Sequence, residues 1–84
     1  MKRITVRYFA SIREATGCGS EAVQTEAATL GALRDELIAR GGGYAHSLAH
    51  GRAVRMALNQ VLSDAQAPLE DGAEVAFFPP VTGG

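Results

Sequence analysis

The sequence predicts an α+β protein in which one sheet of four or five short strands packs on a single main helix. Its 84 residues suffice for one small domain. One stretch, between Thr29 and Arg40, carries apolar residues at helical spacing. Several shorter stretches alternate apolar and polar residues with the period of a strand. No internal repeat, linker or low-complexity tract divides the chain.

The first predicted strand lies near the beginning of the chain. Ile4, Val6 and Tyr8 alternate there with Thr5, Arg7 and Phe9, and β-branched and aromatic residues favour strands. The outward side of this strand is not wholly polar. Its aromatic member therefore suggests contact with a partner or a second layer.

A short helix and a second strand are predicted next. Residues 10–15 favour a short helix, and Gly17 would end it. The strand pattern over 21–26 is weaker, because Val23 and Thr25 carry most of it.

The main helix has the clearest sequence pattern. Thr29 offers an oxygen that can cap its N-terminus. We expect Glu36 and Arg40 to pair four residues apart on an exposed face. The glycines at 41–43 would end the helix, since glycine adopts the left-handed cap conformation at little cost. Apolar residues share the opposite, buried face: Leu30, Leu33, Leu37 and Ile38.

The C-terminal half predicts shorter elements. A further helical turn is expected over 44–50 and a strand over 54–58, with a short additional strand at 61–62. Residues 70–72 (Glu-Asp-Gly) predict a turn before the last strand at 74–78.

Composition excludes several classes of function. The net charge of −1 comes with no basic patch, so we expect neither nucleic acid nor an anionic membrane as a partner. The start of the chain lacks the apolar run of a signal peptide, and no stretch is long and apolar enough to span a bilayer. Cys18 is the only cysteine, which precludes an internal disulfide and favours a reducing, cytoplasmic compartment. A core this thin cannot enclose a deep cavity, which favours a module that works with a partner.

Other chemistry-bearing residues lack the partners that a site needs. His46 and His50 would share a helix face, but no third histidine exists to complete a zinc site, so we expect surface histidines and no metal. The acidic pairs at 35–36 and 70–71 are adjacent in sequence and point apart. The glycines at 41–43 lack the lysine and hydroxyl residue of a phosphate-binding loop. Cys18 has no basic neighbour in sequence, and we interpret it as an incidental loop residue.

Residues beyond the last strand predict an extended tail, which divides the chain into a domain at 1–78 and a flexible segment at 79–84. Pro79 and Pro80 cannot continue a central strand and favour an extended path. Six such residues reach about 18 Å at ~3.1 Å each. Gly83 and Gly84 carry no side chains, so the end could enter a narrow channel and a nucleotide could approach its carboxyl group closely. A frayed terminus without function is the alternative.

Four parts of the sequence resemble the small, sulfur-carrying subunits of molybdopterin synthases. The resemblance is most specific in the segment 77–84, Phe-Phe-Pro-Pro-Val-Thr-Gly-Gly. It extends to Ala57-Leu58-Asn59-Gln60, to residues 68–75, and to the opening Val6-Arg7-Tyr8-Phe9-Ala10 with Ile12-Arg13-Glu14. It implies the ubiquitin-like β-grasp fold, a mixed sheet packed on one main helix.

The resemblance also implies a function without a bound cofactor. An ATP-dependent, E1-like adenylyltransferase would join AMP to the carboxyl group of Gly84, and sulfur from a donor protein would replace the AMP as a thiocarboxylate. The tail, with Val81, Thr82 and Gly83, would then enter the large subunit of a heterotetrameric synthase. There the active site would move the sulfur to cyclic pyranopterin monophosphate, so the carrier itself would be a non-catalytic sulfur donor.

The same resemblance places residues at the partner interface. It assigns Phe78 to the contact with the large subunit, and Phe9 and Arg13 match the family's opening segment and could join it. The alternative is packing at the edge of the core for the two phenylalanines and a solvated helix face for Arg13.

Three other functions remain open at this point. A ubiquitin-like modifier would use the same activated Gly84 to form amides on target proteins, although Lys2 is the only lysine that could extend a chain of modifiers. A sulfur carrier for thiamine or another pathway is the second, and the ending of the sequence favours the molybdenum cofactor over it. A plain binding module is the third.

Overall fold

The computed structural model describes residues 1–80, and within them five strands form one mixed sheet with three helices. The elements in chain order are β1 (Lys2–Tyr8), α1 (Ala10–Thr16), β2 (Ser20–Thr25), α2 (Leu30–Ile38), α3 (Gly42–Leu48), β3 (Arg55–Leu58), β4 (Val61–Ser63) and β5 (Glu74–Phe78). The predicted α+β class is confirmed, and each predicted strand lies within about a residue or two of its expected position. None of the helices in this range has both the length and the apolar character needed to cross a bilayer.

The sheet has the strand order β2-β1-β5-β3-β4. The central strands β1 and β5 run parallel, with Tyr8 beside Phe77, and the remaining neighbours are antiparallel. The first and last strands of the domain are therefore adjacent at the centre of the sheet. This pairing places Phe9, the first residue after β1, next to the point where the chain leaves β5.

The core fills the space between one face of the sheet and the helices. Ile4, Val6 and Tyr8 of β1 are buried there, as their alternation predicts. Val75 and Phe77 of β5 are fully covered on the same face. Helix α2 contributes Leu30, Leu33 and Leu37, whereas Ile38 is only partly buried.

The boundaries of α2 follow from its capping residues. The Thr29 hydroxyl accepts a hydrogen bond from the Ala32 N–H at 3.2 Å, which confirms the predicted N-cap. The helix ends at Ile38, and Gly41 adopts a left-handed φ of 79° while its N–H donates to the Ile38 carbonyl. The next two glycines do not belong to this ending, because they open α3 instead.

Helices α1 and α3 approach each other at Gly43. A Cβ atom at this position would lie 1.7 Å from the Ala15 carbonyl oxygen of α1. Only glycine permits this approach. The glycine-rich segment thus serves a tertiary contact as well as a turn.

The predicted ion pair between Glu36 and Arg40 is wrong. Arg40 lies beyond the end of α2, and its Nη1 donates to both carboxylate oxygens of Glu21 in β2, at 3.1 and 3.0 Å. Glu36 instead accepts a hydrogen bond from the Thr25 hydroxyl at 2.7 Å. The helical spacing that would bring the two residues together no longer holds where the helix has ended.

Glu21 is the centre of a polar cluster at the end of β1. Besides Arg40, the hydroxyl groups of Tyr8 and Tyr44 each donate to its Oε2 at 2.8 Å. Burial alone would raise the pKa of Glu21, but these hydrogen bonds outweigh it and hold the pKa below its usual value. Burial, together with the neighbouring carboxylate, raises the pKa of Tyr8 above its usual range. The cluster ties Tyr8, and with it the start of α1, to α3.

Arg34 is a buried cation that the sequence pattern does not indicate. Its Nε donates to the Leu48 carbonyl at 2.7 Å and its Nη2 to the Ala49 carbonyl at 2.9 Å. Burial lowers the pKa of this guanidinium. These contacts satisfy carbonyl groups at the C-terminal end of α3, where positive charge is favoured.

Candidate partner-binding site along the last strand

The sheet face opposite the helices carries a row of side chains that runs from Arg7 across two alanines to Leu62. Residues directly beside each other across the strands are Arg7 and Ala76, then Ala76 and Ala57, then Ala57 and Leu62. They point away from the core because their neighbours along each strand point into it. Leu62, at the edge strand β4, is 61% exposed. We call this surface the outer face.

An open groove of about 670 Å³ runs along β5 on the outer face, from Glu74 to Phe78. Apolar groups form most of its wall, and charged or amide side chains stand at its rim. Its lining residues are Arg7, Phe9, Ala10, Gln60, Glu74, Ala76, Phe78, Pro79 and Pro80. An apolar centre with a polar rim is typical of surfaces that bind other proteins.

Phe9 enters this groove because β1 and β5 are parallel neighbours. Its N–H donates to the Phe77 carbonyl at 3.1 Å, which holds the backbone beside β5. Phe9 is 38% exposed and does not belong to the buried core. The Arg7 guanidinium lies 5.2 Å from the ring centroid, within the range of a cation–π contact.

Phe78 and the two prolines form the opposite side of the groove. Phe78 is the last residue of β5, and strand alternation turns it away from the core that its neighbour Phe77 fills. Pro79 and Pro80 follow directly and are partly buried. This part of the groove therefore lies where the chain leaves the last strand.

An ion pair between Arg7 and Glu74 lines the groove. Arg7 Nη1 lies 3.9 Å from Glu74 Oε2, and both side chains are partly exposed. Arg55 pairs across the strands with Phe78. Exposed pairs of this kind contribute little to stability, but they orient a partner that approaches.

The predicted interface residues separate into two groups. Phe9 and Phe78 come together in the groove, with Pro79 and Pro80 beside them. Arg13 does not line it, because its exposed side chain lies along α1 against Gly19. The remaining predicted site residues, Val81, Thr82, Gly83 and Gly84, lie outside the described residues.

Sequence reasoning missed several residues of this surface, including Arg7, Glu74 and Ala76, which line the groove. Ala10 and Gln60 line the groove, and Leu62 extends the outer face to the sheet edge. The strand pattern at 61–62 contains no information about which residue faces outward, because that depends on the pairing of β4 with β3. A fuller use of the alternation in β3 and β5 could have identified the outer face, though not its depth.

The histidines and the cysteine contribute no second site in the part of the chain that the structure describes. Helix α3 ends at Leu48, so His50 lies beyond it and its Nε2 contacts Asp35 Oδ1 instead of joining His46. No group of three His, Cys, Asp or Glu side chains in residues 1–80 could hold a metal ion. Cys18 is a free thiol, and its Sγ lies 3.1 Å from the Ser20 carbonyl oxygen.

The fold is that of a ubiquitin-like β-grasp protein. Its defining features are the order of the strands in the sheet, the parallel pairing of the two central strands, and the packing of the helices on one face. The sequence profile of the ThiS family matches residues 6–84, and the chain belongs to this family.

Individual relatives are similar over almost their whole length. The chain is 43% identical over 81 residues to the molybdopterin synthase sulfur carrier subunit of Escherichia coli (strain K12), covering 96% of this chain and 99% of that protein. It is 37% identical over 86 residues to the protein of the same description from Mycobacterium tuberculosis, covering 100% of each. Among solved structures, it resembles a chain in the complex of subunits 1 and 2 of the molybdopterin-converting factor from Helicobacter pylori, with a TM-score of 0.68, 31% identity, and coverage of 98% of this chain and 99% of that one.

Proposed function

We propose that this protein is the sulfur carrier of a molybdopterin synthase. The observation that carries the proposal is the position of the groove: within residues 1–80, Phe9 and Phe78 present an apolar surface that no other described residue covers, where the chain leaves the last strand. A partner that covers this surface would hold the base of the tail and so direct its end. The full-length similarity to proteins described as molybdopterin synthase sulfur carrier subunits supports this assignment.

The partner that covers the groove is, in this proposal, the large subunit of the synthase. A chain of the same fold occurs in the Helicobacter pylori complex of two molybdopterin-converting factor subunits. An apolar wall flanked by Arg7 and Glu74 fits a specific protein interface better than a small-molecule pocket, since the groove is open along its length. The assembly would contain two carriers and two large subunits.

The carboxyl group of Gly84 carries the sulfur. A carboxylate is a poor electrophile, so it must first be joined to AMP by an E1-like adenylyltransferase that binds ATP. Sulfur from a donor protein then replaces the AMP and leaves a thiocarboxylate. The absence of side chains at Gly83 and Gly84 allows a nucleotide and then a narrow channel to surround this end. The family profile extends to Gly84, which supports its use as the reactive residue.

The thiocarboxylate acts as a soft nucleophile in the active site of the large subunit. It transfers sulfur to cyclic pyranopterin monophosphate, and two transfers build the dithiolene of molybdopterin. The carrier contributes recognition and delivery. Among its described residues, Arg7 and Glu74 are the only charged groups that line the groove, and no group of side chains there could hold a metal ion. We place this activity in the cytoplasm, where ATP is available and the free thiol of Cys18 would remain reduced.

Intact-protein mass spectrometry tests the carrier function. Incubation with the activating enzyme, ATP and a sulfur donor should add the mass of one oxygen-to-sulfur exchange, and fragmentation should locate it at Gly84. A chain lacking Gly84 is the matched control, because it keeps every groove residue. We expect it to bind the large subunit but to yield no molybdopterin.

Two results would contradict the proposal at different levels. An unchanged mass after incubation would exclude a sulfur carrier of any pathway. A thiocarboxylated protein that produces no molybdopterin with the large subunit and cyclic pyranopterin monophosphate would exclude the molybdenum cofactor pathway only.

A further inference from the structure

The hairpin between β3 and β4 contains an unusual residue at its tip. Leu58 pairs with Val61, so Asn59 and Gln60 form a two-residue turn, and their φ angles are 50° and 69°. Two-residue hairpin turns with positive φ at both positions strongly favour glycine in the second one. Gln60 therefore occupies a backbone conformation that costs free energy for any residue with a Cβ atom.

Contacts within the chain explain Asn59 but not Gln60. The Asn59 Oδ1 accepts a hydrogen bond from the Glu74 N–H at 2.9 Å, and its own N–H donates to the Glu74 carbonyl at 2.8 Å. Asparagine also tolerates the left-handed region well. Among the described residues, the exposed Gln60 side chain makes no hydrogen bond that would offset its backbone strain.

Gln60 lines the groove at the Glu74 end of β5, and Phe78 and the prolines line it at the other end of that strand. The third non-glycine residue with positive φ in residues 1–80, Ala10, lines the same groove. Backbone strain of this kind tends to collect at functional sites. A carboxamide both donates and accepts hydrogen bonds, as a peptide group does, so it complements the main chain of a protein laid over the groove.

We propose that Gln60 is a specificity-determining contact of the carrier, whose carboxamide hydrogen-bonds the main chain of the large subunit where that subunit covers the groove. The strained turn holds the amide at the edge of an apolar wall. Once the partner excludes water there, an unmatched main-chain group would be costly, so the amide favours a partner of matching geometry. This inference rests on the proposed function, because it assigns a residue to the interface proposed above.

Two substitutions separate the amide from the strain. Q60G removes the side chain and relieves the turn, so its melting temperature should rise by roughly 4 °C or more. Q60A removes the amide and keeps the strain, so its melting temperature should not rise. Both should weaken binding to the large subunit of the same organism by about 3- to 10-fold, measured by isothermal titration calorimetry with the full-length chain.

Q24A is the matched control, since Gln24 is exposed on the outward side of β2, at the other edge of the sheet. Its affinity should equal that of the unaltered chain. If Q60G has a raised melting temperature and still binds the large subunit more weakly, the inference is supported, because a more stable hairpin cannot explain a loss of affinity. Unaltered affinity of Q60G overturns the inference and leaves the proposed function in place. Failure of the unaltered chain to bind the large subunit overturns both.

Discussion

Replacing Phe9 with alanine tests whether the groove is the surface that a partner covers. Phe9 is 38% exposed, and a phenylalanine side chain offers about 200 Å², so about 75 Å² of this ring remains for a partner to cover. At about 25 cal/mol per Å², covering that area contributes about 1.9 kcal/mol of binding free energy. We therefore expect F9A to raise the Kd for the large subunit by about 25-fold.

The assay is calorimetric titration of the large subunit with the full-length carrier. Alanine retains the backbone hydrogen bond from residue 9 to the Phe77 carbonyl, so the link between β1 and β5 remains. A thermal melt of each variant must show that it is folded at the assay temperature. V61A is the matched control, because Val61 is 64% exposed but points to the face of β4 opposite Leu62.

A Kd for F9A within about twofold of the unaltered value would refute the reasoning, since twofold corresponds to only about 0.4 kcal/mol. It would mean that the partner leaves the Phe9 ring in water. Equal losses for F9A and V61A would also count against the groove, because they would indicate a general effect of truncating exposed side chains.

Three further substitutions test the outer face, the helix contact and the polar cluster. L62A should weaken large-subunit binding by about 1 kcal/mol, since Leu62 is 61% exposed on the outer face, and unaltered affinity would limit the interface to the groove. G43A should lower the free energy of unfolding by about 3 kcal/mol or more in denaturant titrations, because its Cβ would lie 1.7 Å from the Ala15 carbonyl oxygen. G51A is the control, and it should leave the free energy of unfolding unaltered because no atom lies within 4 Å of the added Cβ. E21Q should lower the free energy of unfolding by about 1–3 kcal/mol at pH 7. The folded state holds the pKa of Glu21 below its ordinary 4.5, so the stability from the ionised carboxylate is full above that pH and is lost as the pH falls through the folded pKa. The difference in the free energy of unfolding between E21Q and the unaltered chain should therefore become smaller as the pH falls. A difference that does not change with pH would contradict a stabilising role for the polar cluster around Glu21.

Local patterns predicted most elements of the fold. The alternation in β1 identified the buried residues Ile4, Val6 and Tyr8, and the capping oxygen of Thr29 marked the start of α2. These features depend on neighbours within a few residues, so spacing and residue type suffice.

Long-range contacts decided what those patterns left open. The partner of Arg40 is Glu21 on a distant strand, and the partners of Arg34 are carbonyl groups at the end of α3. Arg13 belongs to the segment that resembles the family's opening, yet its side chain lies against Gly19 and not in the groove. Such outcomes depend on how separate elements pack, which no local period encodes.

The sequence by itself determined the fold class, the positions of the strands and main helix, and the family resemblance concentrated at 77–84. Only the tertiary structure decided that Phe9 and Phe78 share one groove and that Gln60 stands at its edge. The physical reason is that the parallel pairing of β1 with β5, and the pairing of β3 with both its neighbours, join residues far apart in the chain. That register results from packing the whole core, whereas helices, strands and turns form under local rules.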